Sequence, residues 1–78
     1  MNQTITLTKA PVSGKLSVIN IPESALVRDM GIVPGALVSL CQRYPFKGPV
    51  LLLVEEAYQV ALGYDLAKQI CVEVMPHA

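Results

Sequence analysis

Few side chains in this sequence are of the types that do chemistry, and their spacing forms no catalytic constellation. There are two cysteines, Cys41 and Cys71, and a single histidine, His77, one residue from the C-terminus and outside any predicted element. A nucleophile needs a base within hydrogen-bond reach and a third group that orients the base. Glu55 and Glu56 lie at the tip of a predicted hairpin, where a solvated surface role is expected. We therefore predict no catalytic residues and a protein that is not an enzyme.

Metal binding is the second chemistry to consider, because Cys71, Glu73 and Met75 alternate along one predicted strand and share a face. A structural zinc site usually takes four nitrogen or sulfur ligands in closely spaced pairs, and neither Cys71 nor Cys41 has such a neighbour. We predict no cofactor and no metal site within the chain. The alternative is weak binding of Fe²⁺ or Zn²⁺ at an interface between copies of the chain, since the sequence leaves a homo-oligomer open.

Size and composition indicate a protein that acts through its surface. The chain forms one domain, residues 1–78, too small to build a core and also a deep substrate cavity. Hydrophobic residues make up 53% and charged residues only 15%, against roughly 25% charged in an ordinary globular domain. The surplus apolar side chains are expected partly outside, where they usually mark an interface. The alternative is a tightly packed core with single apolar residues scattered over the surface.

Charge and hydropathy argue against two classes of partner. The net charge is zero, with six basic and six acidic residues and no run of either sign, so nucleic acid is not expected as a partner. The longest apolar run, Val50–Val54, has five residues, whereas a membrane-spanning helix needs about 20, so direct membrane insertion is not expected. Residues 1–10 lack the apolar region of a signal peptide, and two cysteines are too few for a disulfide-stapled secreted domain. We predict a cytoplasmic protein.

The elements that must position any site are short strands. Five or six of them, about ten residues apart, are bounded by turn signals such as Pro34-Gly35, which predicts a type II turn. They cover residues 4–7, 15–19, 37–43, 50–54, 58–62 and 70–74. Residues 63–68 are expected to add one short helical turn. The pattern predicts an all-β fold with one short inserted helix, closed into a small barrel because closure removes unpaired strand edges.

The inserted helix is predicted over about residues 22–30. Asn20 is placed to cap its first turn, with Glu23 reaching back as in a capping box. Gly31 supplies the left-handed residue that ends a helix, after which Ile32 can fold back onto the helix. Three apolar residues at helical spacing form its stripe: Leu26, Val27 and Met30.

The residues predicted to bind a partner lie on this helix and in the loop after the third strand. Leu26 and Met30 supply apolar area on the helix, while Tyr44 and Phe46 flank Pro45 in the loop. Aromatic side chains are favoured at binding hot spots because they bury much area at small entropic cost. We expect the helix and the loop to meet in one exposed patch. The alternative is that Phe46 folds inward and caps one end of the barrel.

Three segments, in order and at the right spacing, resemble motifs of the FeoA family, the small ferrous iron transport protein A. The segment Asp-Met-Gly-Ile-Val-Pro-Gly, residues 29–35, resembles the family's acidic-apolar-Gly-apolar-x-Pro-Gly signature. Residues 46–50 look like its Gly-Pro loop, and residues 60–72 look like its closing segment. The resemblance covers about Leu7 to Val74.

The resemblance implies an SH3-like barrel with a helical insertion. It also implies a bacterial cytoplasmic protein that binds and modulates FeoB, the GTPase-permease that carries ferrous iron across the membrane. Because the same domain type ends DtxR-type iron-dependent repressors, the alternative is a metal-responsive regulatory domain. The chain starts at Met1 and ends just after the domain, which favours the stand-alone accessory protein. A third reading, a peptide-binding module like eukaryotic SH3 domains, needs an aromatic groove, and one Phe, three Tyr and no Trp offer little for it.

Two positions depart from the family pattern. Many members carry an arginine where this sequence has Leu26, and another where it has Gly63. If those arginines bind an acidic partner surface, the partner of this chain has diverged with them.

Overall fold

Residues 4–75 are described by the computed structural model, and they form one antiparallel sheet of six strands with two short helices. The strands are β1 Thr4–Thr6, β2 Lys15–Asn20, β3 Leu37–Arg43, β4 Val50–Val54, β5 Tyr58–Leu62 and β6 Cys71–Val74. A 3₁₀ turn spans Leu7–Lys9, and the helices are α1 Ala25–Asp29 and α2 Tyr64–Ala67. The strand order is β1-β6-β2-β3-β4-β5, so β6 lies between the first two strands and β2 to β5 form a meander.

The all-β prediction with one short inserted helix is confirmed, and α2 is the helical turn expected after β5. The ladder of hydrogen bonds is nevertheless open, because β1 and β5 remain its two edges within residues 4–75. Shifts of register between Val18 and Asn20, and between Leu40 and Gln42, increase the twist and bend of the sheet, as bulges do. The sheet therefore curves in the manner of a small barrel without the expected closure.

The core is made of apolar side chains, with no polar side chain buried in the described part of the chain. Alternate residues of each strand point inward, as the two-residue period of a strand requires. The largest strand contributions are Leu16, Val18, Val38, Leu40, Val50, Leu52, Val54 and Leu62. The alternation that places Cys71, Glu73 and Met75 on one face of β6 predicts that Val74 faces inward, but Val74 is 38% exposed. The expectation is wrong: Val74 is the last residue of β6, where it pairs with Leu16 of β2, and its side chain is not enclosed by the core.

Helix α1 is shorter than predicted and begins at a different cap. The Ser24 hydroxyl accepts a hydrogen bond from the backbone N–H of Val27 at 3.3 Å, so Ser24 is the N-cap. Asn20 instead ends β2, where it pairs with Cys71, and the predicted cap at Asn20 is wrong. The helix buries Val27 and leaves Leu26 exposed. Among the described residues, no helix is long and apolar enough to cross a membrane.

The end of α1 follows the sequence signals. Gly31 has a φ of +84°, and its N–H donates to the carbonyl of Arg28 at 2.9 Å, while the N–H of Ile32 donates to the carbonyl of Val27 at 3.2 Å. These two bonds form a Schellman motif, which satisfies the last carbonyls of the helix. Ile32 and Val27 are both fully buried, as predicted. The Pro34-Gly35 turn follows with a φ of +94° at its glycine, as a type II turn requires.

Candidate functional site

The β3–β4 pair separates the two halves of the predicted binding surface. Val38 pairs with Val54 near one end of these strands, and Arg43 pairs with Val50 at the other. The two ends lie about 16 Å apart, because Arg43 is five residue steps from Val38 and a strand rises about 3.3 Å per residue. The loop that contains Tyr44 and Phe46 leaves from the Arg43 end.

Helix α1 lies at the opposite end of this pair. The hydroxyl of Tyr58, next to the β4–β5 turn, donates to the backbone carbonyl of Met30 at 2.7 Å. Gly31 sits so close to Tyr58 and Val54 that a Cβ atom there would collide with the Tyr58 hydroxyl. Leu26 is 55% exposed and Met30 packs partly against the core. The helix and the loop therefore do not meet, and the single patch expected from the sequence is divided into two surfaces.

The loop holds its aromatic residue outward in an unfavourable backbone conformation. The N–H of Gly48 donates to the carbonyl of Pro45 at 3.1 Å, and Phe46 and Lys47 between them have φ of 59° and 57°. Positive φ at both central residues defines a type I′ turn, which normally takes Asn-Gly. Phe46 is 98% exposed, so the alternative that it caps the barrel is wrong. A bulky residue in this region is strained, and such strain is concentrated at functional sites.

The β4–β5 turn has the same backbone conformation, but side-chain contacts compensate its strain. Glu55 and Glu56 have φ of 53° and 57°. The Glu55 carboxylate accepts a hydrogen bond from the N–H of Leu37 at 2.9 Å, and Glu56 forms an ion pair with Lys15 at 2.9 Å. These contacts offset strain at the β4–β5 turn. Within residues 4–75, Phe46 makes no side-chain contact of this kind.

A groove of about 370 Å³ opens beside the strained loop. Its volume lies in the range of ligand sites, but it is a surface groove and not an enclosed cavity. The residues that line it include two tyrosines, a proline, a threonine and two cations: Tyr44, Tyr64, Pro45, Thr8, Arg43 and Lys47. Sequence reasoning selected Tyr44 but not its neighbours Arg43 and Lys47, and it could not place Thr8 and Tyr64, which distant segments of the chain supply.

Arg43 fixes the wall of this groove. Its Nη1 donates to the carbonyls of Thr8 at 3.1 Å and Ala10 at 2.8 Å, which ties β3 to the 3₁₀ turn and the residue that follows it. A guanidinium carries five N–H donors, so Arg43 keeps further donors for another acceptor. Lys47 adds a second positive charge, and no aspartate or glutamate is among the described residues that line the groove. The groove is therefore suited to an anionic group next to an apolar one.

The cysteines lie elsewhere. Cys41 and Cys71 are free thiols of intermediate exposure, and the Gln59 amide donates to Cys41 Sγ at 3.8 Å. No group of three or more His, Cys, Asp or Glu side chains within residues 4–75 could hold a metal ion. His77, considered from the sequence, lies outside the described residues.

Fold and surface together define the class of protein. A curved antiparallel sheet of six strands, with a short helix inserted between β2 and β3, is an SH3-like domain, as the sequence predicted. The sequence matches the FeoA domain over residues 5–74. The chain belongs to the FeoA family, whose members are associated with iron transport.

Two solved structures of this family are similar over nearly their full length. A crystal structure of the iron uptake regulatory protein FeoA has a TM-score of 0.83 at 26% identity and covers 94% of this chain and 99% of that chain. The NMR structure of a FeoA-like protein from Clostridium acetobutylicum has a TM-score of 0.77 at 32% identity and covers 100% of this chain and 94% of that chain.

A larger protein contains the same fold. A manganese-dependent transcriptional repressor has a TM-score of 0.83 at 19% identity, covering 96% of this chain but only 44% of that chain. At this identity the likeness shows the fold alone. A comparison with curated protein sequences gave no significant match.

Proposed function

We propose that the protein is an accessory of ferrous iron uptake that binds a FeoB-like GTPase-permease on its cytoplasmic side and modulates it. The observation that carries this proposal is the FeoA match over residues 5–74. It is supported by the full-length similarity to the iron uptake regulatory protein FeoA. Binding to a transporter and modulation of its activity are the functions that the family resemblance implies.

The surface supports a docking role. Leu26 and Phe46 expose large apolar side chains on a domain with only 15% charged residues. Exposed apolar and aromatic side chains are the usual anchors of protein interfaces. Because these two residues lie at opposite ends of the β3–β4 pair, they offer two separate docking surfaces, and single variants can distinguish them.

The test measures binding to the cytoplasmic GTPase domain of the transporter by biolayer interferometry, with GTP hydrolysis by that domain as a second readout. We expect Phe46→Ser or Leu26→Ser to weaken binding by at least about 1 kcal/mol, the lower edge of a hot-spot contribution. Val74→Ser removes an exposed apolar side chain from β6 and serves as the matched control. Thermal melts must show that each variant is folded.

The outcomes separate the two surfaces. A loss confined to Phe46→Ser assigns docking to the loop, and a loss confined to Leu26→Ser assigns it to the helix. If wild-type protein binds the transporter and neither variant weakens it, the predicted binding residues are wrong. If wild-type protein binds neither the GTPase domain nor the intact transporter, and does not alter GTP hydrolysis by the domain, the proposed function is wrong.

A further inference from the structure

The groove beside the β3–β4 loop concentrates most of the few aromatic residues of the chain. Two of the three tyrosines, Tyr44 and Tyr64, line it together with Pro45, and Phe46 extends from its rim, 98% exposed. The sequence alone argued against an aromatic groove because aromatic residues are scarce. The fold nevertheless forms an aromatic groove from few aromatic residues, because it brings β3, the following loop and α2 together.

Charge is segregated along the β3–β4 pair although the net charge is zero. The groove end carries Arg43 and Lys47. Glu55 and Glu56 form the turn at the opposite end. Asp65 is adjacent in sequence to Tyr64, but its side chain is 91% exposed and lies 3.7 Å from the ammonium group of Lys68. At the β4–β5 turn, Lys15 pairs with Glu56 and offsets part of the negative charge. A ligand with negative charge is therefore attracted to the groove end in preference to the other, which favours one orientation of docking.

We propose that this groove binds an extended, acidic segment of a partner protein. A carboxylate of the segment pairs with Lys47 and with the remaining N–H donors of Arg43, and an apolar side chain packs between Tyr44 and Tyr64. The hydroxyls of the two tyrosines are available to the backbone carbonyls of the segment. The inference deepens the proposed function and rests on it only for the identity of the partner, a cytoplasmic segment of the transporter.

A peptide fits this surface better than a membrane or a nucleic acid does. Recognition of anionic lipid surfaces typically uses clusters of about 4–8 lysines and arginines, and phosphate backbones require a basic patch. The groove has Arg43 and Lys47 only, and Arg43 already donates to two backbone carbonyls. A concave wall with tyrosines and a proline instead matches an apolar side chain carried beside a carboxylate.

The test uses the acetylated, amidated peptide Leu-Glu-Pro-Leu-Glu-Pro-Leu, in which proline prevents helix formation, and a matched peptide with glutamine in place of both glutamates. Amide shifts of the isotope-labelled protein are followed by NMR. We expect shifts at Lys47, Gly48 and Tyr64 but not in α1, and weaker binding of the glutamine peptide. Lys47→Gln should lower affinity for the acidic peptide by about threefold to fivefold, the effect of one partly exposed ion pair. Arg28→Gln, an equal loss of charge on α1, is the control and should leave affinity unchanged.

Several results would overturn the inference. They are shifts that map to α1 or the β4–β5 turn, equal affinity for both peptides, or equal losses in Lys47→Gln and Arg28→Gln. Sedimentation with phosphatidylserine-rich vesicles tests the lipid alternative, and binding that depends on Lys47 in the absence of peptide binding would assign the groove to membranes. Peptide binding at the groove without any binding to the transporter leaves the inference standing and removes the proposed function. If Lys47→Gln binds the transporter normally and the peptide causes no shifts, the inference is wrong and the proposed function stands.

Discussion

Replacing the strained loop residues with Asn-Gly should make the protein more stable. In the double variant Phe46→Asn with Lys47→Gly, the two positions keep their positive φ but receive the residues that a type I′ turn prefers. Little burial is lost, because Phe46 is 98% exposed. The expected gain therefore comes from the backbone.

The magnitude follows from two opposing effects. A left-handed conformation costs an ordinary residue about 1–2 kcal/mol, which the variant largely relieves at Phe46 and Lys47. Glycine also adds entropy to the unfolded chain, worth about 0.4–1 kcal/mol at one position. The net expectation is a gain of about 1–2 kcal/mol in the free energy of unfolding. For a domain of this size each kcal/mol raises the melting temperature by about 4–8 °C.

The β4–β5 turn provides the internal control. Glu55→Asn with Glu56→Gly relieves similar φ values but removes the hydrogen bond to the N–H of Leu37 and the ion pair with Lys15. Losing these contacts cancels much of the gain, since a hydrogen bond contributes about 0.5–1.5 kcal/mol and an exposed ion pair up to about 1 kcal/mol. Urea unfolding at equilibrium measures all three proteins. No gain at the β3–β4 loop, or an equal gain at both turns, would refute the argument that only the first turn carries uncompensated strain.

Three further outcomes test the structure. Gly31→Ala should lower the free energy of unfolding by at least about 1–2 kcal/mol because of its positive φ. The same substitution should cost less in a Tyr58→Phe background, which lacks both the colliding hydroxyl and its hydrogen bond to Met30; urea titration of the single and double variants decides. Ser24→Ala should cost about 1 kcal/mol in the same titration, as the loss of an N-cap. Asn20→Ala removes the cap expected from the sequence, and if NMR showed that it weakens α1 more than Ser24→Ala does, the assigned cap would be contradicted. Thermal melts with and without excess chelator should coincide, because a fold that depends on metal needs clustered ligands; a fall of many degrees on chelation would show a metal site that residues 4–75 do not reveal.

The sequence predicted the elements better than their relations in space. The bounds of β3, β4 and β5 agree with the predicted ranges because alternation of apolar residues and turn signals are local properties of the chain. The end of α1 was equally accessible, since Gly31 is encoded where the Schellman motif needs it. Its start was not, because Asn20 has the chemistry of a cap but is held in β2 by pairing with β6, whose residues lie far along the chain.

The candidate site depends on how the elements are arranged in space, which the sequence predicted less well. Tyr44 and Phe46 were selected from the sequence by their type and position. Tyr64 could not be, because it reaches the groove only when the fold places α2 beside the loop, and Arg43, although next to Tyr44 in the chain, shows its role only through its contacts with Thr8 and Ala10. The expected contact between the helix and the loop failed for a related reason: the register of β3 against β4, which no local motif encodes, sends the two segments to opposite ends of the strands.

The position of β6 has a consequence for how the chain reaches its structure. During synthesis β2 to β5 emerge in the order in which they pair, so each hairpin of the meander can close as soon as its second strand is available. The slot between β1 and β2 is filled only by β6, the last of the six strands to be made. Until β6 arrives, β1 has no partner in the sheet, and the 3₁₀ turn that follows it lacks the hydrogen bond from the N–H of Leu7 to the carbonyl of Ile70. Completion of the sheet therefore waits for a contact between distant parts of the chain, the kind of step that slows folding.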